Sequence, residues 1–425
     1  MAEFRESNTS LARNDLRGLA QRCRLFRDLF STVYDARGRR HADASVRADG
    51  DARLHDVEAA LGSLERTLFP FFRHDRRINS VPKLLQSFRD QRGIVISVGN
   101  THYRFALHLV TTLREVLGCS LPIEMYYYGS GDLDADKIQT LRSIGGAGGI
   151  SVIDISSRLG PVEVSGWFMK PFMILLSTFR EVIFMDADAL FLQEPSVLFQ
   201  HKGYLQTGAL FFRDRSMQFD AETGRYSSYV RNIIGEPSEY AMKGRIFRHL
   251  SIYEMDSGVV VLDKARTAHE LLLICLMNTD YFNSDFITVF HGDKETFWVA
   301  FEAMGSPYYF NPPGGGALGY LEEGTGRICG SLYHPDEHMD PLWINSGIIP
   351  DKKTGESIPI NLTHWATDTT WLPLSWGYGA LTSCLCIKSA QPEIETGKLE
   401  GRYLERARGL TSVWLRLNEN KTSAP

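Results

Sequence analysis

The stretch Glu181-Val-Ile-Phe-Met-Asp186-Ala-Asp188-Ala-Leu-Phe191 places four apolar residues directly before two carboxylates that are two positions apart. Such an apolar run predicts a buried strand in the middle of an α/β sheet. Its charged end would lie at the carboxyl edge of the sheet, where α/β folds bind ligands. Closely spaced carboxylates suit a hard divalent cation, and such a cation suits a diphosphate. The stretch therefore predicts a metal–diphosphate site; the alternative is that both carboxylates only cap the next turn.

Composition limits the class of protein. The chain has 425 residues, enough for one large domain or two ordinary ones, and its hydrophobic content of 43% is typical of globular proteins. A net charge of −5 gives no basic field for nucleic acid. We recognise no signal peptide and no apolar stretch of membrane-spanning length. We therefore expect a soluble chain, or a luminal region that would reach a membrane only through an anchor absent from this chain.

Strand and helix patterns alternate on both sides of the opening stretch. Apolar runs at 93–97, 122–128, 150–155 and 257–262 predict further strands. Their spacing is that of βαβ units, so we expect an α/β fold with a mostly parallel central sheet and flanking helices. The polar stretch 213–249 is too long for an ordinary connection and is interpreted as a mobile lid or acceptor loop. The Gly-rich stretch 311–330 is interpreted as a loop.

Three regions are predicted along the chain. Residues 1–88 show helical periodicity and are interpreted as a helical stem or accessory layer. Residues 89–380 form the predicted catalytic domain, and residues 381–425 form a C-terminal tail. The six cysteines fit either buried thiols or one or two disulfides.

Several motifs occur in a fixed order between residues 90 and 350. They are Gly93-Ile-Val-Ile-Ser-Val-Gly99, Leu121-Pro-Ile-Glu-Met125, Gly166-Trp-Phe-Met-Lys-Pro-Phe172, Phe184-Met-Asp-Ala-Asp-Ala-Leu-Phe-Leu-Gln-Glu-Pro195, Thr207-Gly-Ala-Leu-Phe-Phe-Arg-Asp-Arg215, Met255-Asp-Ser-Gly-Val-Val-Val-Leu-Asp-Lys264, Gly292-Asp-Lys-Glu-Thr-Phe-Trp298 and Pro341-Leu-Trp-Ile-Asn345. Taken together, they resemble the fungal MNN-type α-1,3-mannosyltransferase family.

This resemblance implies a Rossmann-like GT-A fold and retention of the α configuration. It implies GDP-mannose as donor, Mn²⁺ as cofactor, an oligomannose glycan on protein as acceptor and the Golgi lumen as location. Asp186 and Asp188 would hold the metal, with Asp186 touching either the metal or the donor ribose. A third ligand is expected from His334, with His338 and His364 as alternatives, although a lone histidine is more often a surface or core residue.

The donor-binding residues are expected around the ends of the first and fourth strands. The predicted set is Val98, Gly99, Tyr103, Arg104, Lys170, Asp186, Ala187, Asp188 and Ser257. Lys170 would hold the diphosphate or the mannose hydroxyls, or alternatively it is a solvated lysine at a helix start. The stretch 93–99 is otherwise an ordinary first strand and turn.

Asp256, Asp293 and Glu295 are the candidate catalytic carboxylates, because a nucleophile must lie near the anomeric carbon. Each is alternatively a helix cap or an ion-pair partner, and the sequence does not choose between a covalent intermediate and same-face attack. Trp298 and Trp343 are candidates for stacking on sugars, although large aromatic residues are more often core. Two other functions stay open: a UDP-sugar transferase of the same fold, and a non-catalytic glycan- or nucleotide-binding protein.

Overall fold

The computed structural model describes residues 14–41, 48–73, 78–160, 164–217, 223–350, 352, 358–369, 376–378, 384–388 and 394–419. Parts of the predicted stem, lid and tail therefore lie outside the described residues. The strands are β1 (Arg89–Ser97), β2 (Ile123–Tyr127), β3 (Ile150–Asp154), β4 (Phe179–Met185), β5 (Leu190–Phe191), β6 (Ala209–Arg213), β7 (Met255–Asp263), β8 (Tyr309–Phe310), β9 (Gly316–Leu321), β10 (Arg327–Pro335), β11 (Pro341–Asn345), β12 (His364–Asp368), β13 (Trp376–Tyr378), β14 (Leu385–Lys388) and β15 (Ile394–Lys398). The helices are α1 (Leu16–Val33), α2 (Ala48–Leu68), α3 (Val81–Ser87), α4 (Tyr103–Glu115), α5 (Ala135–Ser143), α6 (Lys170–Leu176), α7 (Lys202–Thr207), α8 (Thr223–Ile234), α9 (Glu239–Met242), α10 (Lys264–Met277), α11 (Asp280–Val289), α12 (Lys294–Met304) and α13 (Gly401–Asn418).

The central sheet has the strand order β3-β2-β1-β4-β7-β6-β8. Strands β1 to β4 are parallel to one another, whereas β7 is antiparallel to both β4 and β6. Buried apolar clusters cover both faces, which explains why β4 and β7 are continuous apolar runs rather than alternating ones. The expected α/β class with a mostly parallel central sheet and flanking helices is confirmed.

A second, antiparallel sheet is built from the later strands in the order β13-β14-β10-β9-β12-β15, with β11 joining β10 to β5. The interpretation of residues 311–330 as a loop was wrong, because β9 and the start of β10 lie there. Gly319 and Gly330 are paired across these two strands, and a Cβ at either would lie within 2.0 Å of a backbone oxygen. The glycines allow this close strand contact and do not mark a flexible segment.

A disulfide joins Cys329 of β10 to Cys386 of β14. It closes the second sheet covalently across 57 residues of sequence. Cys23, Cys119, Cys275 and Cys384 are buried thiols.

The N-terminal helical region packs against the α/β domain that follows it. One face of α1 carries Leu19, Cys23, Phe26 and Phe30, and all four join the core cluster that also contains residues of α6, α10 and α12. Arg27 adds a hydrogen bond of 2.7 Å to the carbonyl oxygen of Met304 at the end of α12. The described part of residues 1–88 is therefore an accessory helical layer in contact with the domain.

At the other end of the chain, α13 packs against α4. Trp414 stacks on Phe105, with ring centroids 5.7 Å apart. The boundary at residue 380 stays a prediction, but β14, β15 and α13 all contact the domain that precedes it.

The stretch 213–249 is not an irregular loop where it is described, and that interpretation was wrong. It contains α8 and α9, and Val230, Ile233 and Ile246 enter the main core cluster. On α8, Arg225, Ser228 and Asn232 are exposed while Val230 and Ile233 are buried, an amphipathic pattern that the sequence analysis missed.

Candidate active site

The candidate site lies where β4 ends and the antiparallel β7 begins. The N–H of Asp186 donates a 2.8 Å hydrogen bond to the carbonyl oxygen of Gly258, which fixes the first residue after β4 against β7. Because β7 runs in the opposite direction, its first residues, Asp256 and Ser257, arrive beside Asp186. The sheet thus gathers residues that are 70 positions apart in sequence at one edge.

Lys170 is the centre of a buried polar cluster at this edge. It is only 5% exposed. Its Nζ lies 3.0 Å from the Asp186 carboxylate, 3.1 Å from Ser257 Oγ and 3.6 Å from Asp293 Oδ2. Ser257 Oγ in turn donates a 3.0 Å hydrogen bond to Asp293 Oδ2. Four of the predicted site residues are therefore in direct contact.

The charges in this cluster depend on one another. Burial alone would lower the pKa of Lys170, but Asp186 and Asp293 raise it above its usual range, so the ammonium stays charged. Burial raises the pKa of Asp186 to about 6, against the opposing effect of Lys170. A buried lysine shared by two carboxylates leaves net negative charge at the end of β4.

Asp256 is held by a separate set of partners. It accepts hydrogen bonds from His334 Nε2 at 2.9 Å, from the Asn345 amide at 2.9 Å and from the Gly258 N–H at 2.9 Å. Burial would raise the pKa of Asp256, but the contact with His334 and the other donors bring it below its usual value. The His334 ring stacks on Trp343, with centroids 4.1 Å apart. This carboxylate is therefore fixed in place and ionised.

Asp188 has a different partner from Asp186. It forms an ion pair with Lys352, and its side chain is 12% exposed. Its carbonyl oxygen accepts a 2.8 Å hydrogen bond from the Gly347 N–H. The Asp188 carboxylate binds a positive group in this structure, so a metal cation could take the place of that ammonium group. Carboxylate oxygen atoms are ligands that hard divalent ions prefer. The donor set of Asp186 and Asp188 therefore fits a divalent metal.

The expected third ligand does not lie with this pair. Among the described residues, three potential ligands from His, Cys, Asp or Glu come within 4.8 Å of one another at Glu322, Cys329 and Cys386. The two cysteines of this group are joined in the disulfide. His334 is instead bonded to Asp256. A metal-ligand role for His334 stays a prediction.

The contacts described for the two alternative histidines are also with residues other than Asp186 and Asp188. The side chain of His338 is 79% exposed. His364 lies on β12, where its ring contacts the Thr363 hydroxyl at 2.9 Å.

The predicted donor-binding residues around β1 lie on the Asp188 side of the site. Val98 continues β1 and donates to Tyr126 at 2.9 Å, and Gly99 precedes the helical turn that leads into Tyr103. Arg104 donates a hydrogen bond of 3.5 Å to the carbonyl oxygen of Lys352. Through Lys352, the start of α4 is connected to Asp188. Ala187, which separates Asp186 from Asp188 in the sequence, is buried.

Glu295 has no exposed surface and points into the core of the protein. It accepts hydrogen bonds from the N–H groups of Glu254, at 3.0 Å, and Met255, at 3.3 Å, and also from the indole of Trp298. Burial raises its pKa to about 7, although Lys294 opposes the shift. Its contacts hold the backbone that leads into Asp256.

The tryptophans differ from expectation. Trp298 and Trp343 are core residues with at most 2% exposure, so neither is placed to stack on a sugar. Trp167, in the helical turn Gly166–Met169 that leads into Lys170, is exposed.

Sequence reasoning also missed Lys352, because a Lys-Lys pair in a polar stretch resembles solvated surface. Asn345 lay in a quoted motif, but nothing in that motif pointed to Asp256.

Comparisons with known proteins show the family to which the chain belongs. The family model described as "Mannosyltransferase putative" matches residues 91–336, more than half of the chain. The Candida albicans protein described as "Putative alpha-1,3-mannosyltransferase MNN14" is 28% identical over 311 residues, covering 63% of this chain and 44% of its own length. The Saccharomyces cerevisiae α-1,3-mannosyltransferase MNN1 is 24% identical over 314 residues, covering 60% of this chain and 40% of its own length. The chain thus spans less than half the length of these two curated relatives.

Solved structures give more distant likenesses. Mouse xyloside xylosyltransferase 1 has 13% identity and a TM-score of 0.33, covering 50% of this chain and 81% of its own. The galactosyltransferase LgtC has 14% identity and a TM-score of 0.31, covering 52% of this chain and 73% of its own. At such scores these likenesses add nothing to the topology described above.

Proposed function

The chain belongs to the mannosyltransferase family, and on that premise we propose that it transfers mannose from GDP-mannose to a mannose-terminated glycan through an α-1,3 link. The observation that carries this proposal is the buried cluster of Lys170, Asp186 and Asp293 at the end of β4. A binding protein without catalysis would not need ionised carboxylates held by a buried lysine at the ligand edge of the sheet. The names of the related yeast proteins support the choice of sugar and linkage.

On this proposal, Asp186 and Asp188 hold a divalent cation, Mn²⁺, against the donor diphosphate. When bound, that cation neutralises the charge that develops on the leaving GDP. The pair fits this role because Asp188 already holds the ammonium group of Lys352. Lys352 and Arg104, which meet at the same side, provide further positive charge for the diphosphate.

Asp256 and Asp293 are the carboxylates that we assign to the reacting centre. Both are fixed by hydrogen bonds, and each retains a small exposed fraction, 7% for Asp256 and 3% for Asp293. Lys170 orients Asp186 and Asp293 relative to each other. Because Glu295 is enclosed and bonds to the backbone before Asp256, we infer that it positions that strand rather than touching substrate.

The acceptor and the location complete the proposal. We propose an oligomannose glycan on protein as acceptor and the Golgi lumen as location, as the family resemblance implies. No helix in the described part of the chain is both long and apolar enough to cross a membrane.

A donor panel tests the proposed function. The purified chain is incubated with GDP-mannose, UDP-glucose, UDP-galactose and UDP-N-acetylglucosamine, each with Mn²⁺ or EDTA and a mannobiose acceptor, and nucleotide release is measured. Release of GDP alone, dependent on Mn²⁺, is the expected result, and linkage analysis of the trisaccharide then checks the α-1,3 link. Release of UDP, or release that EDTA does not affect, would contradict the donor or the metal assignment respectively.

A further inference from the structure

A solvent-exposed tryptophan stands beside the carboxylate–lysine cluster. Trp167 is 52% exposed, whereas Trp298 and Trp343 are buried. Leaving a large aromatic ring in water forgoes the free energy of burying it. An exposed ring with polar neighbours is therefore a candidate contact surface for a ligand that is itself part apolar and part polar.

The surrounding backbone holds this indole in place. The ring of His291 lies against it, with centroids 5.0 Å apart and planes inclined by 57°. Gly292 has a φ of 73°, and a Cβ added there would lie 3.2 Å from Trp167 Cε3. A larger residue at position 292 would both strain the backbone and press on the indole. The aromatic pair of Trp167 and His291 is thus a built feature with a defined orientation.

Both residues of this pair are close in sequence to residues of the proposed reacting centre. Trp167 comes three residues before Lys170 in a helical turn, a rise of roughly 5–6 Å. Gly292 directly precedes Asp293, and Lys170 Nζ lies 3.6 Å from Asp293 Oδ2. The pair is therefore attached to the two elements that carry the lysine and one candidate carboxylate.

The pair is connected to the cluster through other residues than those of the proposed diphosphate site. Asp188, Lys352 and Arg104 are connected to one another beside α4. Trp167 and His291 are connected to the cluster through Lys170 and Asp293 instead. A second substrate that reaches Asp293 past Gly292 would contact the exposed indole.

We propose that Trp167, supported by His291, is the platform on which the acceptor sugar stacks. The inference rests on the proposed function and names the subsite that the second substrate occupies. One face of a pyranose ring presents C–H groups, which suit the negative face of an indole, while the hydroxyl groups at its edge suit polar neighbours such as Lys170 and Asp293. This complementarity favours a sugar ring over a purely apolar ligand.

The test compares Trp167→Ala and Trp167→Phe with the full wild-type chain, using GDP-mannose, Mn²⁺ and mannobiose. In Trp167→Ala we expect KM for mannobiose to rise roughly tenfold, the effect of losing one good contact. Hydrolysis of GDP-mannose without acceptor and KM for the donor should stay unchanged. Trp167→Phe should retain most of the acceptor affinity. Tyr378→Ala, which removes an aromatic side chain that is 72% exposed on β13, is the matched control and should behave as wild type.

An unchanged KM for mannobiose in Trp167→Ala, with donor turnover intact, would overturn the platform. If the wild-type chain turns over none of the donors, the proposed function itself fails, and mannobiose binding is then measured directly by saturation-transfer NMR. Loss of the mannobiose signal in Trp167→Ala and its retention in Tyr378→Ala would still support the platform. Equal signals in both variants, or none in wild type, would reject it.

Discussion

Asp186 and Asp188 differ in environment although only one residue separates them. Asp186 is paired with Lys170, whose side chain is 6% exposed, and Asp188 is paired with Lys352, whose side chain is 34% exposed. Because Lys352 is the more exposed of the two lysines, the Asp188 carboxylate exchanges its partner for an incoming cation more readily than Asp186 does. The two residues should therefore respond differently to substitution.

Asp188→Ala should reduce Mn²⁺-dependent turnover by at least about 100-fold, since a metal ion supplies several kcal/mol of charge stabilisation. Its melting temperature should stay near that of wild type, because the backbone hydrogen bond of Asp188 is kept and the lost side-chain partner, Lys352, is itself partly exposed. Nucleotide release and thermal unfolding measure the two effects. Asp136→Ala, which removes an exposed carboxylate in the first turn of α5, is the control. Wild-type rates in Asp188→Ala would refute the metal assignment.

Lys352→Met should bind Mn²⁺ more tightly than wild type in the absence of nucleotide. The reason is that the Lys352 ammonium and a metal ion compete for the same carboxylate. We expect a several-fold lower dissociation constant for Mn²⁺, measured by the loss of its free electron paramagnetic resonance signal. Lys83→Met, which removes a lysine that contacts Asn79 far from Asp188 in sequence, is the control. A lower Mn²⁺ affinity in Lys352→Met would contradict the competition.

Glu295 should make the protein less stable as pH rises. Burial raises its pKa in the folded state from 4.5 to about 7, so between these values the folded state binds more protons than the unfolded state. The free energy of unfolding must then fall as pH rises through this window. Glu295→Gln removes the titration, so its melting temperature should change less than that of wild type between pH 5 and pH 7.5. Equal slopes in the two proteins would show that Glu295 does not titrate in this range.

At this scale, the sequence predicted residues that lie inside recognisable motifs. Asp186, Lys170, Ser257 and Asp293 were each named from local context, and they meet in one cluster. Lys352 was missed because its role depends on a chain path that no local pattern encodes. The apolar surroundings of Trp298 and the open surroundings of Trp167 likewise arise only from tertiary packing.

Among the elements, β7 shows what a pattern of apolar residues leaves undetermined. A strand buried on both faces is a continuous apolar run whichever direction it takes, so the sequence predicted β7 but not its antiparallel orientation. That orientation decides the site, because it brings Asp256 rather than Asp263 beside Asp186. The loop prediction for the Gly-rich stretch 311–330 was wrong for a different reason. Glycine also occurs in strands whose backbones approach closely.

Helix α8 should resist trypsin even without ligand. Its Tyr226 ring lies 5.6 Å from Phe290 and its Tyr229 ring lies 6.1 Å from Phe286, so the helix is anchored to α11. Cleavage after Arg225 and Arg231 should be slow with or without GDP and Mn²⁺, as peptide mapping of timed digests would measure. Heat-denatured protein gives the reference rate for both sites. Rapid cleavage that GDP and Mn²⁺ suppress would restore the interpretation of this segment as a lid.

For the whole molecule, the contact between α1 and the catalytic domain predicts a shared stability. Phe26 packs against Phe30, Phe69 and His269, with ring centroids 5.2–5.9 Å apart. Phe26→Ala should destabilise the entire chain by about 3–5 kcal/mol. Urea unfolding followed by tryptophan fluorescence reports this, because α1 itself contains no tryptophan.

Gln21→Ala provides the control, since Gln21 is exposed on the same helix. If Phe26→Ala left the unfolding of the catalytic domain unchanged, α1 would be an independent stem and not part of the folding unit.

The Cys329–Cys386 disulfide makes the redox state of the compartment important for producing the protein. Closing a loop of 57 residues restricts the unfolded chain by about 4 kcal/mol in the chain-entropy estimate. A glutathione-reduced cytosol would withhold that contribution, since thiols there stay reduced. Recombinant material made in such a host would leave β14 attached through its backbone hydrogen bonds and the packing of Ile387. Export to an oxidising compartment is therefore a condition for producing the fully linked protein, and the redox state of the preparation must be known before its activity is interpreted.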